Sequence, residues 1–243
     1  MPVVPPVIVS LPRALSKQGA ASRSQAQTLI LAGVVTVNGR PITNPHHRVD
    51  LNRDQLAVAG KLVQPIPYRY LALNKPKGLI TTTQDEQGRD TVYRCLGEEA
   101  NWLAPVGRLD KASEGLLLFT NDTRWAAQLL DPASHLPKVY HVQLDCQLEA
   151  VAWKPFLQGV SLGDGTTARI VSAEPLRTGM RRSWWEITLD QGLNRQIRRM
   201  AQILGADVVR LVRVAIGPIK LGELAKGQTR ELTQQERLAL VAH

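Results

Sequence analysis

Two prolines within four residues, Gln64-Pro65-Ile66-Pro67, cut the chain into unequal parts. Proline lacks an amide hydrogen and has a fixed φ, so such a stretch disfavours helix and cannot continue a strand ladder. No regular element runs through it, and residues 1–63 and 68–243 are expected to fold as two domains joined by a 64–67 linker. Charge divides at the same place. The first 63 residues carry seven basic side chains (Arg13, Lys17, Arg23, Arg40, Arg48, Arg53, Lys61) against Asp50 and Asp54, a net of +5. The remainder holds 23 basic and 19 acidic residues, a net of only +4. A small basic module is therefore tethered to a larger, nearly balanced one.

The whole chain, at +9, favours a polyanionic partner, either nucleic acid or an anionic membrane surface. With 44% hydrophobic and 21% charged residues it has the composition of a globular protein, not of a disordered or fibrous one. No apolar run approaches the roughly 18 residues of a membrane span. Met1 to Ser10 lacks a basic stretch and a small-residue cleavage site. Cys95 and Cys146 stand alone, without CxxC or metal-spaced histidines, which speaks against a disulfide framework and a metal site. These features lead to the expectation of a soluble, cytoplasmic monomer without a metal.

In the basic module, Leu11, Ala14 and Leu15 share one helical face. Ser22 with Gln25 forms a capping box that opens a second helix, with Ala26, Leu29 and Ile30 inward. Gly33 stands where a helix end calls for a left-handed residue. Val34–Val37, Asn38-Gly39 and Arg40-Pro41-Ile42 spell strand, type I′ turn and strand. Basic side chains between the apolar positions give this unit a surface suited to phosphates.

The larger module is expected to be α+β. Strands are predicted at Tyr70–Leu73, Leu116–Thr120, Val139–Leu144, Ala168–Ala173, Trp184–Leu189 and Val208–Val214. Helices are predicted at Thr123–Leu130, Leu148–Gln158, Leu193–Leu204 and from Gln234, the last opened by Thr233 with Glu236. Their irregular order does not indicate a doubly wound parallel sheet. Phosphate-loop, dinucleotide-turn, HExxH and deaminase signatures are all lacking. A cofactor-free reaction on nucleic acid would be hydrolysis, transfer or isomerisation.

The segment from Gly107 to Asp122 sets a charged loop, Arg108-Leu109-Asp110-Lys111-Ala112-Ser113-Glu114, between Gly107 and Gly115, directly before an apolar strand. Asp110 is thus a carboxylate on a loop anchored by the core, a placement shared by catalytic groups and by surface ion pairs with neighbours such as Arg108 and Lys111.

Four ordered motifs and a stretch that trails them bear a family resemblance. Gly107-Arg108-Leu109-Asp110 with Ser113-Glu114-Gly115-Leu116-Leu117-Leu118 and Thr120-Asn121-Asp122 is similar to the central motif of pseudouridine synthases acting on ribosomal RNA, closest to the Rsu type. Asn74-Lys75-Pro76-Lys77-Gly78 resembles the first family motif, and Lys138-Val139-Tyr140-His141-Val142 the Lys-x-Tyr-x-Val strand. Gly192-Leu193-Asn194-Arg195-Gln196-Ile197-Arg198-Arg199-Met200 resembles the basic helix, and Leu211–Gly217 the closing strand. Residues 9–63 resemble the RNA-binding domain of ribosomal protein S4, the alpha-L motif. Gln191 stands where the family usually has Glu, and Thr123 where Gly commonly follows Asn-Asp.

The resemblance implies an S4-like domain followed by a catalytic domain with a mixed, mainly antiparallel sheet. It implies isomerisation of uridine in ribosomal RNA or a ribosomal-subunit precursor, with no cofactor. Asp110 would be the nucleophile or base near the sugar, Tyr140 the stacking ring, and Arg198 the partner of the Asp110 carboxylate. Leu211 would wall the uracil pocket, Lys75 would brace the loop or tyrosine, and Arg108, Arg195 and Arg199 would meet substrate. Arg13, Lys17, Arg23 and Arg40 would meet RNA in the first module. The Asn-Arg-Gln-Ile-Arg-Arg-Met sequence favours the large-subunit branch over the small-subunit one. Two other readings stay open. One is a non-catalytic RNA-binding or ribosome-assembly protein of the same fold. The other is an N-glycosidase with Asp110 and Glu114 as its carboxylate pair.

Overall fold

The computed structural model describes residues 6–64, 66–82, 85, 87–97 and 103–242. It separates into two compact units, residues 1–68 and 69–243. Of the expected 64–67 linker, Pro65 lies outside the described residues.

In the first unit, helices Leu11–Lys17 and Arg23–Leu31 bury Leu11, Ala14, Leu15, Ala26 and Ile30 against Val35, Val49 and Leu56. The second helix starts where its cap dictates: Ser22 Oγ accepts from Gln25 N at 3.3 Å and Gln25 Oε1 accepts from Ser22 N at 2.9 Å. After Ala32 the chain turns at Gly33, φ +72°. The Asn38-Gly39 turn has both φ values positive, 51° and 79°, as a type I′ turn requires. Asn38 is pinned further, its side chain donating to Asp54 and accepting from Gln55 N. That hairpin belongs to a four-stranded antiparallel sheet ordered Arg40–Pro41, Val35–Val37, Leu56–Val58, Lys61–Leu62. A two-stranded ribbon of Ile8–Ser10 and Arg48–Asp50 completes the unit.

The second unit is built on a nine-stranded mixed sheet. Its main path runs Ser172–Thr178, Ser183–Leu189, Lys138–Leu144, Val208–Ile216, Glu114–Thr120, Tyr70–Lys75, Thr229–Glu231. Only the pairing of Val208–Ile216 with Glu114–Thr120 is parallel. Ala104–Val106 and Ile219–Lys220 pair alongside. Every residue of Glu114–Thr120 is buried, which explains an apolar run without alternation: Leu116 and Leu118 face one core, Leu117 and Phe119 another. Helices Thr123–Leu130 and Gln234–Val241 pack together over the first core, where Trp125 Nε1 donates to Arg237 O at 3.2 Å.

Three expected elements differ. Ala168–Ala173 is not one strand: Thr167–Ala168 pairs with Val160–Ser161, and a separate strand, Ser172–Thr178, forms the sheet edge. Between them Ile170 turns inward, 2% exposed, with its amide on Phe156 O. The edge strand carries Pro175 beside a register shift, the position where a sheet tolerates proline. The Leu148–Gln158 helix splits into a 3-10 turn, Ala150–Trp153, and a short helix, Lys154–Gln158, because Pro155 fits only a first helical turn. The Leu193–Leu204 helix starts later, at Gln196, because Arg195 sits in the left-handed region at φ +49°.

Candidate active site

The strands Ala104–Val106 and Glu114–Thr120 pair antiparallel, so residues 107–113 form the loop between them. Beneath this loop lies the first motif. Lys75, with no exposed surface, donates from Nζ to three carbonyls: Ser113 O at 2.8 Å, Pro76 O at 3.1 Å and Asp110 O at 3.2 Å. Gly78 N donates to Lys111 O at 2.7 Å, Thr81 Oγ1 to Leu109 O at 2.8 Å, and Ser113 N to Asp110 O at 3.0 Å. These bonds fix the backbone around Asp110, while its side chain stays 39% exposed. Lys75 thus holds the loop through the carbonyls of Asp110 and Ser113.

Burial pushes the Lys75 ammonium down to about 8, against the opposing pull of Asp110 and Glu114. Between that value and the usual lysine range, the unfolded chain holds a proton that the folded chain has released. Stability must therefore rise with pH through this window, by up to about 1.4 kcal/mol per pH unit from this one group. Lys75→Met cannot titrate. Its stability deficit relative to the unaltered protein is expected to widen between pH 8 and 10, read by urea unfolding at each pH. A deficit that stays constant refutes the assignment.

A cleft of about 770 Å³ opens above the sheet, lined by Arg108, Asp110, Tyr140, Arg195, Leu211 and Arg213 among others. The sheet register accounts for this convergence. Tyr140 pairs with Arg213 and Val142 with Leu211, so these side chains stand on one face. A bulge then skips Val214, between the Tyr140–Arg213 and Val139–Ala215 pairs. The extra residue flips parity, so Ile216 also lines the cleft instead of facing away. Tyr140 is half-buried and Leu211 is 7% exposed. Arg108 is exposed at the cleft wall.

The arginines of the basic helix are distributed differently from what the resemblance implies. Arg195 Nη1, not Arg198, pairs with the Asp110 carboxylate, at 4.0 Å. Arg198 donates to Val208 O at 2.9 Å and Ala112 O at 3.5 Å, tying the helix to the Asp110 loop through its backbone. Burial and the charge of Arg195 lower the Arg198 guanidinium, and Asp110 opposes them, so Arg198 feels that carboxylate without pairing with it. Arg199 points elsewhere, to Asp164 at 2.7 Å and Leu162 O at 3.1 Å. Gln196, 3% exposed, is a lock that the sequence reading passed over: Oε1 accepts from Leu193 N, and Nε2 donates to Arg169 O and Gln191 Oε1. The unusual Gln191 also accepts from Arg169 N at 3.0 Å.

Glu114 lies outside the cleft. It pairs with Val212 in the register, hence faces the other side of the sheet, where Arg210 Nε at 2.9 Å and Lys226 Nζ at 2.6 Å hold it. Burial works to raise this carboxyl, but the two cations outweigh it and keep it below its usual range. An Asp110–Glu114 pair sharing one water is not formed, which removes the structural basis of the N-glycosidase reading.

Two buried polar atoms of cleft-lining residues lack a hydrogen-bond partner among the described residues: Arg213 Nη2 and Asp190 Oδ1. Asp190 otherwise pairs with Arg169 at 2.5 Å. Arg213 was not singled out from the sequence. Its signal was there, since Arg213 follows Leu211 at the two-residue spacing of one strand face, and an arginine on an apolar face calls for an explanation. Among the described residues, no cluster of three or more His, Cys, Asp or Glu is placed to hold a metal ion.

In the first unit, Arg13, Arg23 and Arg40 are exposed and Lys17 is half-buried.

Comparison with known proteins finds relatives along nearly the whole chain. Residues 69–202 match the family model described as RNA pseudouridylate synthase, and residues 9–54 match the S4 domain. The chain is 39% identical over 233 residues to an Aquifex aeolicus protein named "Uncharacterized RNA pseudouridine synthase", covering 94% of this chain and 92% of that one. It is 33% identical over 230 residues to a Bacillus subtilis protein named "Ribosomal large subunit pseudouridine synthase B", covering 93% of each. A crystal structure of a pseudouridylate synthase superposes with a TM-score of 0.67 at 29% identity, covering 96% of this chain and all of that one.

Proposed function

The chain belongs to the RNA pseudouridine synthases, isomerases acting on RNA, and from that premise we propose that it converts uridine to pseudouridine in large-subunit ribosomal RNA. The observation that carries the assignment of the site is the Asp110 carboxylate, held on a braced loop in a cleft shared with Tyr140 and Leu211. The large-subunit assignment is supported by the Bacillus subtilis relative and by the Asn194–Met200 motif.

The reaction breaks the bond from N1 to the sugar, turns the base, and joins C5 to the sugar carbon. Asp110 acts at the sugar, as nucleophile or base, and Arg195 holds its charge. A base in folded RNA must leave its stack first, and the flipped ring needs an apolar slot. Tyr140 and Leu211 offer the two walls of that slot. Arg108 meets the backbone at the rim. Arg198 acts as a positioning residue through Ala112, and Arg199 supports the helix through Asp164. The reaction takes place in the cytoplasm. Among the described residues, no helix is long and apolar enough to cross a membrane.

Transcripts of small- and large-subunit ribosomal RNA, incubated with the purified chain, test this reading by carbodiimide mapping of pseudouridine. New stops confined to the large-subunit transcript are the expected outcome. Modification of the small-subunit transcript alone overturns the subunit assignment. No product on either transcript or on isolated subunits overturns ribosomal RNA as substrate.

The basic module contributes affinity. If Arg13, Arg23 and Arg40 each meet one phosphate, replacing all three by Gln flattens the log–log salt slope of RNA binding by about 2 units. Filter binding across a salt series measures this. An unchanged slope means that this surface does not touch RNA.

A further inference from the structure

Arg213 is 6% exposed, and its Nε donates to Leu116 O at 2.7 Å, which fixes the plane of the guanidinium. Its Nη2 is buried without a partner, and no carboxylate pairs with it among the described residues. A buried donor left unpaired is costly, and a buried unpaired cation more so. Nor is it alone: Lys138, on the same cleft, and Lys75, under its loop, are both pushed below the usual lysine range, chiefly by burial and in part by the charge of Arg213. Arg213 therefore brings a buried, unpaired N–H to the lining of the cleft, on the same sheet face as the ring of Tyr140, while the lining carboxylates Asp110 and Asp190 pair with Arg195 and Arg169 instead.

Resting on the isomerisation reading above, we infer that Arg213 is a further catalytic residue: its free Nη2 donates to a ring carbonyl of the flipped uracil and stabilises the anion formed when the glycosidic bond breaks. In that step the N1–C1′ bond breaks and its electron pair passes to N1, delocalised onto the O2 and O4 carbonyls. The sugar remains with Asp110, either as its ester or after giving a C2′ proton to it. The base turns, C5 supplies an electron pair to C1′, and the C5 proton leaves. Any proton taken from C2′ returns. No electrons are gained or lost overall, and Arg213 keeps its protons throughout. A preorganised donor aimed at developing charge in a dry site contributes far more than the same donor in water. A purely structural role, holding Leu116 O, would be indifferent to how well the base carries charge.

The test therefore varies the leaving group. Ribosomal RNA transcribed with uridine or with 5-fluorouridine is treated under single-turnover conditions, and loss of the N1-linked nucleoside is followed by mass spectrometry after digestion. Fluorine at C5 withdraws electrons and makes the departing anion more stable. Arg213→Gln is expected to slow uridine cleavage by about 100-fold, as loss of one oxyanion donor does. On 5-fluorouridine its loss is expected to stay within about tenfold, since a better leaving group needs less help. The ratio of the two rates within one protein sample is independent of the folded fraction. Should the Gln variant not fold at all, Arg213→Lys, which keeps the charge but not the fork, is measured by the same ratio. Equal losses on both substrates, or none on uridine, overturn the role of Arg213 while leaving the reaction intact. An unaltered protein that cleaves neither substrate overturns the reaction itself, and this inference with it.

Discussion

Asp110→Asn is expected to reduce single-turnover isomerisation by on the order of a thousandfold or more, while the variant still binds the same RNA. The substitution keeps the size and the hydrogen-bonding shape of the side chain and removes only its charge and nucleophilicity. The surrounding fold has little cause to respond, because the bonds that fix this loop run to the backbone carbonyls of Leu109, Asp110, Lys111 and Ser113, not to the carboxylate. The carboxylate's contact with Arg195, at 4.0 Å and half in solvent, adds little stability. Binding should hold steady or tighten, since a negative charge facing phosphate is lost. Tritium release from RNA labelled at uracil C5 measures turnover, and a filter assay measures binding. Activity within tenfold of the unaltered protein rejects Asp110 as the reacting group.

Gly115→Ala is expected to destabilise the catalytic unit by about 3 kcal/mol or more, a fall in Tm on the order of 10 °C. Gly115 has φ +102°, and a Cβ there would lie 2.3 Å from the carbonyl oxygen and 2.8 Å from the nitrogen of Arg213. Both obstacles are main-chain atoms of the parallel neighbour, so no side chain can swing aside. The strands must part at the junction that joins the Asp110 loop to the strand bearing Leu211 and Arg213. Activity should fall with stability. Thermal unfolding followed by circular dichroism decides the matter, and a shift of only 1 or 2 °C would show that the sheet yields at little cost.

How much of this was legible in the sequence depended on the range of the interaction. Local signals held: both capping boxes formed, Asn38-Gly39 made its turn, and Asp122 capped the Thr123–Leu130 helix, so the unusual Thr123 is simply its first residue. The other strands of the first unit, Ile8–Ser10, Arg48–Asp50, Leu56–Val58 and Lys61–Leu62, have no such turn signal and are too short to show a period, and were missed. At the site, Asp110, Tyr140 and Leu211 line one cleft, because each sits on or beside a strand whose register is set by core packing. The arginines were harder. A helical wheel starting at Leu193 assigns a direction to Arg195, but Arg195 precedes the helix in a left-handed conformation and turns to Asp110. The partner of Arg199, Asp164, comes from a loop more than thirty residues away, and no local pattern announces it. Arg213 was readable in principle from strand alternation, yet its position rests on pairing with the glycine-bearing strand nearly a hundred residues earlier.

That pairing also fixes the order in which the cleft can come into being. Besides the adjoining Ala104–Val106, the Glu114–Thr120 strand, which anchors Asp110, pairs with a strand some forty residues upstream and with Val208–Ile216. The Tyr70–Lys75 strand is in turn flanked by Thr229–Glu231, almost at the far end of the chain. Contacts of such sequence separation require large loops to close before they are rewarded, which slows folding. The basic module has no such delay, since its sheet and ribbon close within residues 8–62. During synthesis the segment expected to grip RNA is thus complete while the catalytic centre still lacks a wall. An amino-terminal fragment ending before Val208 has the aspartate and the tyrosine but neither Leu211 nor Arg213, and therefore no assembled cleft.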